Sequence, residues 1–244
     1  KNFSWFSDFS LSHNREKIKE LASGQLKDEA NAWFVGEPFK VFYDYKKEGI
    51  WQLGEEAAAA ANGQEPGDIK VQDVDGNGVI TTDDRIIYSQ RPGVTFGFNN
   101  TFNYKGFDLS VFLYARLGQW IAYDYNTTYR INALENGGNV DYWTPENPTN
   151  AFPRPNKSKS YTQVTYYSTL KYEDGSFFKI RDITLGYTFK PELLKHLNLS
   201  KLRVYATAKN FFTFSKIDNY DPEQGGSISF PMTKQLVFGL NVEF

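Results

Sequence analysis

Residues 107–118 read FDLSVFLYARLG, and this stretch decides the fold class of the chain. Successive side chains of a β-strand point to opposite faces, and here one face is apolar throughout. That face carries Phe107, Leu109, Val111, Leu113, Ala115 and Leu117, whereas the other carries Asp108, Ser110, Phe112, Tyr114, Arg116 and Gly118. A segment of about ten such residues crosses a bilayer as a tilted strand. The pattern therefore predicts a strand with one face in an apolar environment.

The same alternation recurs along the chain and predicts an all-β protein. Residues 235–244 place five apolar side chains on one face, which are Leu236, Phe238, Leu240, Val242 and Phe244. Strands are also predicted at 94–104, 178–189 and 202–214, with another at 3–11 and a weaker one at 34–45. Tyr104-Lys105-Gly106-Phe107 predicts a tight hairpin turn. The total is about seven strands, each with the period of two expected for a sheet that has one apolar face.

The connections between the predicted strands alternate in length. Short ones lie at 105–106 and 190–200, and long ones lie at about 48–93, 119–174 and 215–233. If the chain ends on the same side as the short connections, every long loop falls on the opposite side. Outer-membrane barrels, with short periplasmic turns and long extracellular loops, have this arrangement. A soluble β-sandwich alternates in the same way and stays open as an alternative. Large outer-membrane transporters use about 22 strands, so the barrel interpretation requires that most of the protein lies outside this chain.

Composition excludes several classes of protein. Aromatic residues make up 17% of the 244 residues, which suits the lipid face and aromatic girdles of a membrane barrel as well as a soluble core. The net charge is −2 and the basic residues are scattered, so no nucleic-acid surface is predicted. The absence of cysteine excludes disulfides and thiolate sites. The chain starts within an alternating pattern and without a leader, which predicts that it is cut from a larger protein.

The segment DVDGNGVITTDD at 73–84 matches the template of an EF-hand or dockerin-like calcium loop. Gly78 occupies the position of the sharp turn, and the last ligand is an Asp where the template prefers Glu. We predict a structural calcium site within residues 68–85, with six ligands: Asp73, Asp75, Asn77, Val79 through its carbonyl, Thr81 and Asp84. The alternative is a turn rich in Gly, Asn and Asp that binds nothing.

Candidate catalytic residues are few. His13 and His196 are the only histidines and neither neighbours a nucleophile motif, so both are interpreted as surface residues and no enzyme is predicted. The aromatic pair Tyr142 and Trp143 could stack on a sugar or peptide substrate, or could pack within the protein.

A set of motifs in a fixed order resembles the late barrel of SusC/RagA-type TonB-dependent outer-membrane transporters. The resemblance covers nearly the whole chain. Its motifs are VGEP at 35–38, FY at 42–43, GIW at 49–51, GDIK at 67–70, YKGFDLS at 104–110, WTPENP at 143–148, EDGSFFKIR at 173–181, LGY at 185–187, NFFT at 210–213, DPE at 221–223 and Phe244.

The resemblance implies that residues 1–244 are the C-terminal strands of a large antiparallel transmembrane β-barrel in the bacterial outer membrane. It implies import of a glycan or peptide, with a SusD-like surface lipoprotein as lid and TonB acting on a plug and TonB box outside this chain. It also implies that the C-terminus is periplasmic, that the calcium loop is extracellular, and that the strands contact lipid and the remainder of the barrel. The open alternative is a soluble calcium-binding glycan-binding or adhesion β-domain.

Overall fold

A computed structural model describes residues 3–132 and 137–244. Its strands are β1 (Phe3–Ser12), β2 (Lys27–Asp28), β3 (Trp33–Phe34), β4 (Val41–Tyr45), β5 (Lys47–Ile50), β6 (Ile69–Val71), β7 (Arg85–Ser89), β8 (Val94–Tyr104), β9 (Phe107–Leu117), β10 (Trp120–Ala122), β11 (Tyr172–Asp174), β12 (Phe177–Thr188), β13 (Lys201–Ser215) and β14 (Gln235–Glu243). Its helices are α1 (Glu56–Ala61) and α2 (Pro191–Leu194). Single 3-10 turns lie at Thr82–Asp84, Asp124–Thr128, Tyr161–Gln163, Tyr167–Lys171, Lys195–Leu197 and Pro222–Gln224.

Six long strands form one antiparallel sheet in the order β1-β8-β9-β12-β13-β14. The two long strands β8 and β9 are joined by Lys105 and Gly106, whose φ angles of 48° and 91° are those of a type I′ hairpin turn. The sheet is therefore a meander with β1 and β14 at its edges. The predicted antiparallel barrel-type sheet and the hairpin are confirmed.

The register places apolar side chains in continuous rows across the sheet. Leu109 of β9, for example, lies between Phe102 of β8 and Leu185 of β12, and the row continues to Ala206 and Phe238. This apolar face is formed by the residues that the alternation predicts, and it lies at the protein surface. Phe238 is 77% exposed and Leu240 is 69% exposed. A second sheet or a helix layer does not cover this face within residues 3–132 and 137–244.

All long connections lie at the same end of the sheet. Residues 13–93, 118–176 and 216–234 join the far ends of the strands, whereas the turn at 105–106 and the segment 189–200 join the near ends. The connections 13–93 and 118–176 pack on one another around a loop core of Ile50, Ile69, Val71, Trp143 and Leu170. Connection 216–234 packs through Ile217 against Ile121 and Tyr123. The loops thus form a structured cap at one end of the sheet.

The weak strand predicted at 34–45 is not part of the large sheet. It divides into β3, which pairs with β2, and β4, which pairs with β7. Gly36 has a φ of 95° and Pro38 lacks a backbone N–H, so the segment between the two short strands cannot continue a ladder. The sheet consequently has six long strands instead of about seven. Among the described residues, no helix has the length and apolar character needed to cross a membrane.

Candidate functional site

Residues 73–84, called the metal loop below, form a compact series of turns closed by their own side chains. The carboxylate of Asp73 accepts hydrogen bonds from the N–H groups of Gly76 at 2.8 Å and Gly78 at 2.7 Å. Gly78 has a φ of 85° and open space around its Cα, so glycine is favoured here by the backbone conformation. Asp75 accepts from the N–H of Asn77 at 3.0 Å. The loop is therefore ordered by its acidic and amide side chains.

Asp84 joins the two ends of the metal loop and is fully buried. Its two carboxylate oxygens accept hydrogen bonds from Val74 N–H at 2.8 Å and from Thr81 N–H at 2.7 Å. These bonds to the charged form, the one from Thr81 first, hold the pKa of Asp84 below its usual value despite the opposing effect of burial. Asp84 is thus ionised at neutral pH.

Three of the six predicted ligands converge. Carboxylate oxygens of Asp73, Asp75 and Asp84 lie within 4.8 Å of one another, and this is the one such acidic group within the described ranges 3–132 and 137–244. The side-chain oxygens of Asn77 and Thr81 accept hydrogen bonds from the N–H groups of Val79 at 2.8 Å and Asp83 at 3.2 Å. The atoms that converge are all oxygen atoms, which are the ligands that Ca²⁺ takes in proteins.

The metal loop is anchored to the loop core at its centre. Ile80 packs against the core, and its N–H donates to Oδ1 of Asn62, the residue that ends α1, at 3.1 Å. Strand β6 leads directly into the loop and pairs with β5, while β7 follows the loop and pairs with β4. The metal loop therefore connects two strand pairs of the cap.

The structure separates the two aromatic residues proposed to contact substrate. Trp143 is 4% exposed, its ring lies in the loop core, and its Nε1–H donates to Oε1 of Gln52 at 2.8 Å. Tyr142 is 43% exposed at the surface of the same segment. Trp143 therefore occupies a packing position, the second of the two alternatives, and Tyr142 retains an accessible ring.

A polar cavity of 320 Å³ lies beside the loop core. Its lining includes a partly buried lysine, Lys47 of β5, and a partly buried glutamate, Glu173 of β11. Tyr88, Trp120, Phe152 and Tyr172 contribute aromatic rings to its walls. The sequence pattern gave no signal for this site, because Lys47 and Glu173 are far apart in the chain and meet only through the packing of two long loops.

The polar face of the sheet carries one buried and one partly buried group of ion pairs. Lys179 of β12 is fully buried, and its Nζ lies 2.6 Å from Oδ2 of Asp221 and 2.9 Å from Oε2 of Glu223. Arg203 of β13 crosses β12 and binds Asp108 of β9 through two hydrogen bonds of 2.9 and 2.6 Å. These pairs fix loop 216–234 to the sheet and link three strands.

The two histidines lie apart from these groups. His13 is exposed and its Nδ1 contacts the carbonyl oxygen of Gly93, while His196 is exposed in the 3-10 turn after α2. Neither side chain has a hydrogen bond to a serine, threonine or carboxylate among the described residues. The histidines therefore form no catalytic pair with the groups described here.

Comparison with known proteins places the chain in a family context. It is 30% identical over its whole length, in an alignment of 281 residues, to TonB-dependent receptor P3 of Formosa agariphila. It is 28% identical, again over its whole length, to TonB-dependent receptor SusC of Bacteroides thetaiotaomicron. The chain covers 27% and 25% of these two proteins, so it spans about a quarter of the length of the curated relatives it matches.

Similarity in fold also extends over the whole chain. The structure superposes with a TM-score of 0.76, at 23% identity, on 28% of a chain in the structure of the RagAB peptide transporter. No family model matches the sequence. The sequence relatives are named as TonB-dependent receptors, and the structural neighbour is named as a peptide transporter. Over its whole length, the chain is therefore similar in sequence to about a quarter of TonB-dependent receptors that include SusC, and similar in fold to part of a chain of the RagAB peptide transporter.

Proposed function

We propose that this chain is part of the outer-membrane β-barrel of a TonB-dependent importer that takes up a nutrient, either a glycan or a peptide. In this proposal the side with the short connections, where residue 244 lies, faces the periplasm, and the cap of long loops faces the outside. TonB acts on a part of the protein outside this chain, and β1 and β14 pair with further strands of the same barrel.

The observation that carries the proposal is the continuous apolar face across all six long strands. Its large side chains are exposed, Phe9 by 60%, Phe238 by 77% and Leu240 by 69%, although burial of each would stabilise a soluble protein by about 1.5–3 kcal/mol. In a membrane, lipid would cover these side chains and remove the free-energy cost of exposing them to water. A soluble calcium-binding β-domain, the alternative function, would instead bury the face against a second sheet.

The same importer would work with a SusD-like lipoprotein as its lid. The support is the structured cap, which presents a packed surface on the outer side, and the likeness to TonB-dependent receptor SusC and to the RagAB peptide transporter. A lid that opens and closes needs a rim that does not deform. The packed loop core, with Ile50 and Ile69 almost fully buried, supplies that rigidity.

We also propose that the metal loop binds calcium and that the ion has a structural role. Three carboxylates within 4.8 Å of one another repel, and a divalent cation among them would convert that repulsion into attraction. The residues that would hold the ion are Asp73, Asp75, Asn77, the Val79 carbonyl, Thr81 and Asp84. Bound calcium would stiffen the connection between β6 and β7.

The test of function uses the full-length protein in its native host. A deletion of its gene, and separately of TonB, is expected to abolish uptake of the labelled glycan or peptide on which the host grows, and the protein is expected in the outer-membrane fraction with a co-purifying lipoprotein. Recovery as a soluble protein, with uptake unchanged in both deletions, would refute the proposal. The calcium proposal is tested separately by calorimetric titration of the chelator-treated protein with Ca²⁺, using Asp73→Asn as the comparison, which is expected to lose the binding heat.

A further inference from the structure

Two of the six charged residues that line the cavity beside the loop core, Lys47 and Glu173, are partly buried and form no ion pair. Of the other four, Asp174 pairs with Lys216, whereas Lys46 and Glu48 are exposed to solvent. Lys47 Nζ donates a hydrogen bond to the carbonyl oxygen of Ala151, and Oε1 of Glu173 accepts one from Nδ2 of Asn126 at 2.9 Å. Neither group has an oppositely charged side chain within 4.0 Å among residues 3–132 and 137–244. Each charge therefore has a neutral dipole as its direct hydrogen-bond partner, and the opposite charges act on it only from a greater distance.

Burial shifts the pKa of both groups in the direction that favours the neutral form. Burial lowers the pKa of Lys47, and the more distant charge of Glu173 opposes that effect. Burial likewise raises the pKa of Glu173, opposed by Asn126 and then by Lys47. Both charged forms are thus destabilised relative to water, and a ligand that brings counter-charges to both would recover that free energy.

The aromatic wall of the cavity is fixed by its own packing. The Tyr88 ring lies edge-on to Trp120 with centroids 4.7 Å apart, and it stacks on Tyr172 with centroids 5.3 Å apart. These rings contribute apolar surface to the wall of the cavity. The volume of 320 Å³ lies at the lower end of the range of about 300–1,000 Å³ found for small-molecule sites.

The walls of the cavity are also tied to the metal loop. Lys47 pairs with Val71, the last residue of β6 and two residues before Asp73, and Tyr88 belongs to β7, which starts directly after Asp84. The metal loop therefore connects the strand opposite Lys47 to the strand that carries Tyr88. An ordered metal loop would hold both lining residues in place.

We propose that this cavity binds a compound carrying both an ammonium and a carboxylate, the class of amino acids and short peptides, with its carboxylate at Lys47 and its ammonium at Glu173. A neutral sugar would bring a counter-charge to neither Lys47 nor Glu173, and a simple anion or cation would bring one to only one of them. The inference rests on the proposed function, because it names the substrate class of that importer.

The test is calorimetric binding to the full-length protein in detergent, with a panel of dipeptides that includes Ala-Ala as the probe. The same dipeptides are compared with the amino end acetylated and with the carboxyl end amidated. The unmodified dipeptides are expected to bind about tenfold or more tightly than either blocked form, since each blocked form loses one charge-assisted contact. Maltose serves as the neutral comparison and is expected not to bind in the cavity.

Two variants test which end of the dipeptide contacts Lys47 and which contacts Glu173. Lys47→Met is expected to bind free and amidated dipeptides equally, whereas Glu173→Gln is expected to bind free and acetylated dipeptides equally. Lys157→Met and Glu146→Gln remove matched charges from exposed loop positions and are expected to preserve the wild-type preferences. Equal thermal unfolding temperatures of the variants establish that the cavity variants are folded.

Three outcomes would overturn the inference: no binding of any dipeptide, equal binding of free and blocked forms, or binding of maltose that depends on Lys47 and Glu173. Uptake by cells separates this inference from the proposed function. TonB-dependent uptake of a glycan together with a failed dipeptide test would refute the inference and leave the importer standing. Dipeptide binding without any TonB-dependent uptake would refute the importer and leave the binding site standing.

Discussion

Asp84 connects both ends of the metal loop because each of its carboxylate oxygens accepts a backbone N–H. Asp84→Asn replaces one acceptor by an NH₂ group, which would face the N–H of Val74 or Thr81. We expect the loop to lose about 1–3 kcal/mol of local stability. Hydrogen exchange at the amides of residues 74 and 81 measures the effect. Asp83→Asn, at an exposed neighbouring position, is the matched control, and equal exchange rates in the two variants would contradict the prediction.

The pKa of Asp84 also predicts a pH dependence. Hydrogen bonds lower the folded-state pKa below the ordinary value of 3.8. The carboxylate therefore contributes stability that is fully present above pH 3.8 and is lost as the pH falls through the folded-state pKa. The protection factor of the Thr81 amide, which compares its exchange rate with the intrinsic rate at the same pH, is expected to fall below about pH 4 in the wild type and to stay constant in Asp84→Asn. A wild-type protection factor that does not change over this pH range would refute the assignment.

Gly186 is the position where the Arg203 side chain crosses β12 to reach Asp108. A Cβ at this residue would lie 2.5 Å from both Arg203 Nη2 and Asp108 Oδ1. Gly186→Ala is therefore expected to displace the ion pair and to cost about 1–3 kcal/mol. The temperature of barrel unfolding, read from the gel mobility of heated samples, measures this loss. Gly93→Ala is the control, because a Cβ there makes an ordinary 3.6 Å contact, and an unfolding temperature equal in both variants would exclude the crowding.

At the scale of elements, loop 216–234 is held to the sheet by the buried Lys179. Lys179→Met would leave Asp221 and Glu223 without their lysine partner in a buried site, where loss of one partner costs about 3–5 kcal/mol. We expect the loop to become sensitive to protease in the folded protein. Adding Asp221→Asn and Glu223→Gln to Lys179→Met is expected to restore part of the resistance. A loop that stays resistant in the single variant would contradict this role of the ion cluster.

The strands themselves were predictable, because a period of two in the sequence is a local property. The predicted strand at 94–104 coincides with β8, and the one at 178–189 differs from β12 by one residue at each end. The prediction of one strand over 34–45 was wrong. Aromatic residues on either side of Gly36 and Pro38 have strand propensity, although the strand is interrupted at these two residues. Two local departures were also beyond the pattern: the register shift between Ile180 and Asp182, and Asn210 with a φ of 59°.

The candidate site was predictable only where its residues are close in sequence. The metal loop is a continuous motif, so its three converging carboxylates could be named in advance. Lys47 and Glu173 come together through tertiary packing, as do Lys179 and Asp221, and no local pattern encodes such contacts. The position of Trp143 was likewise open, since an aromatic residue in a loop suits either a ligand or a loop core, and only the contacts with Ile50 and Leu170 decide.

At the scale of the whole molecule, the sheet divides two environments. Its apolar face suits lipid, its polar face carries the buried and partly buried ion pairs, and its two ends differ because all the long loops lie at one of them. This division suits the proposed importer, which would need a wall that is stable in the membrane and a structured cap on the outside. The metal loop and the adjoining cavity both belong to that cap.

The central claim is that the six strands cross the outer membrane with their apolar face in lipid. Because the chain contains no cysteine, single cysteines placed in the full-length protein, after replacement of any others, report directly on this orientation. Intact cells are treated with a membrane-impermeant maleimide after introduction of Lys157→Cys in the cap, Glu192→Cys in the short connection, or Phe238→Cys on the apolar face.

Three different results are expected. Position 157 is labelled in intact cells, position 192 is labelled only after the outer membrane is permeabilised, and position 238, although 77% exposed in this chain, is labelled only after the protein is denatured. Labelling of position 238 as readily as position 157 would mean that the apolar face is in water, and labelling of position 192 in intact cells would mean that the sheet is not oriented across the membrane as described.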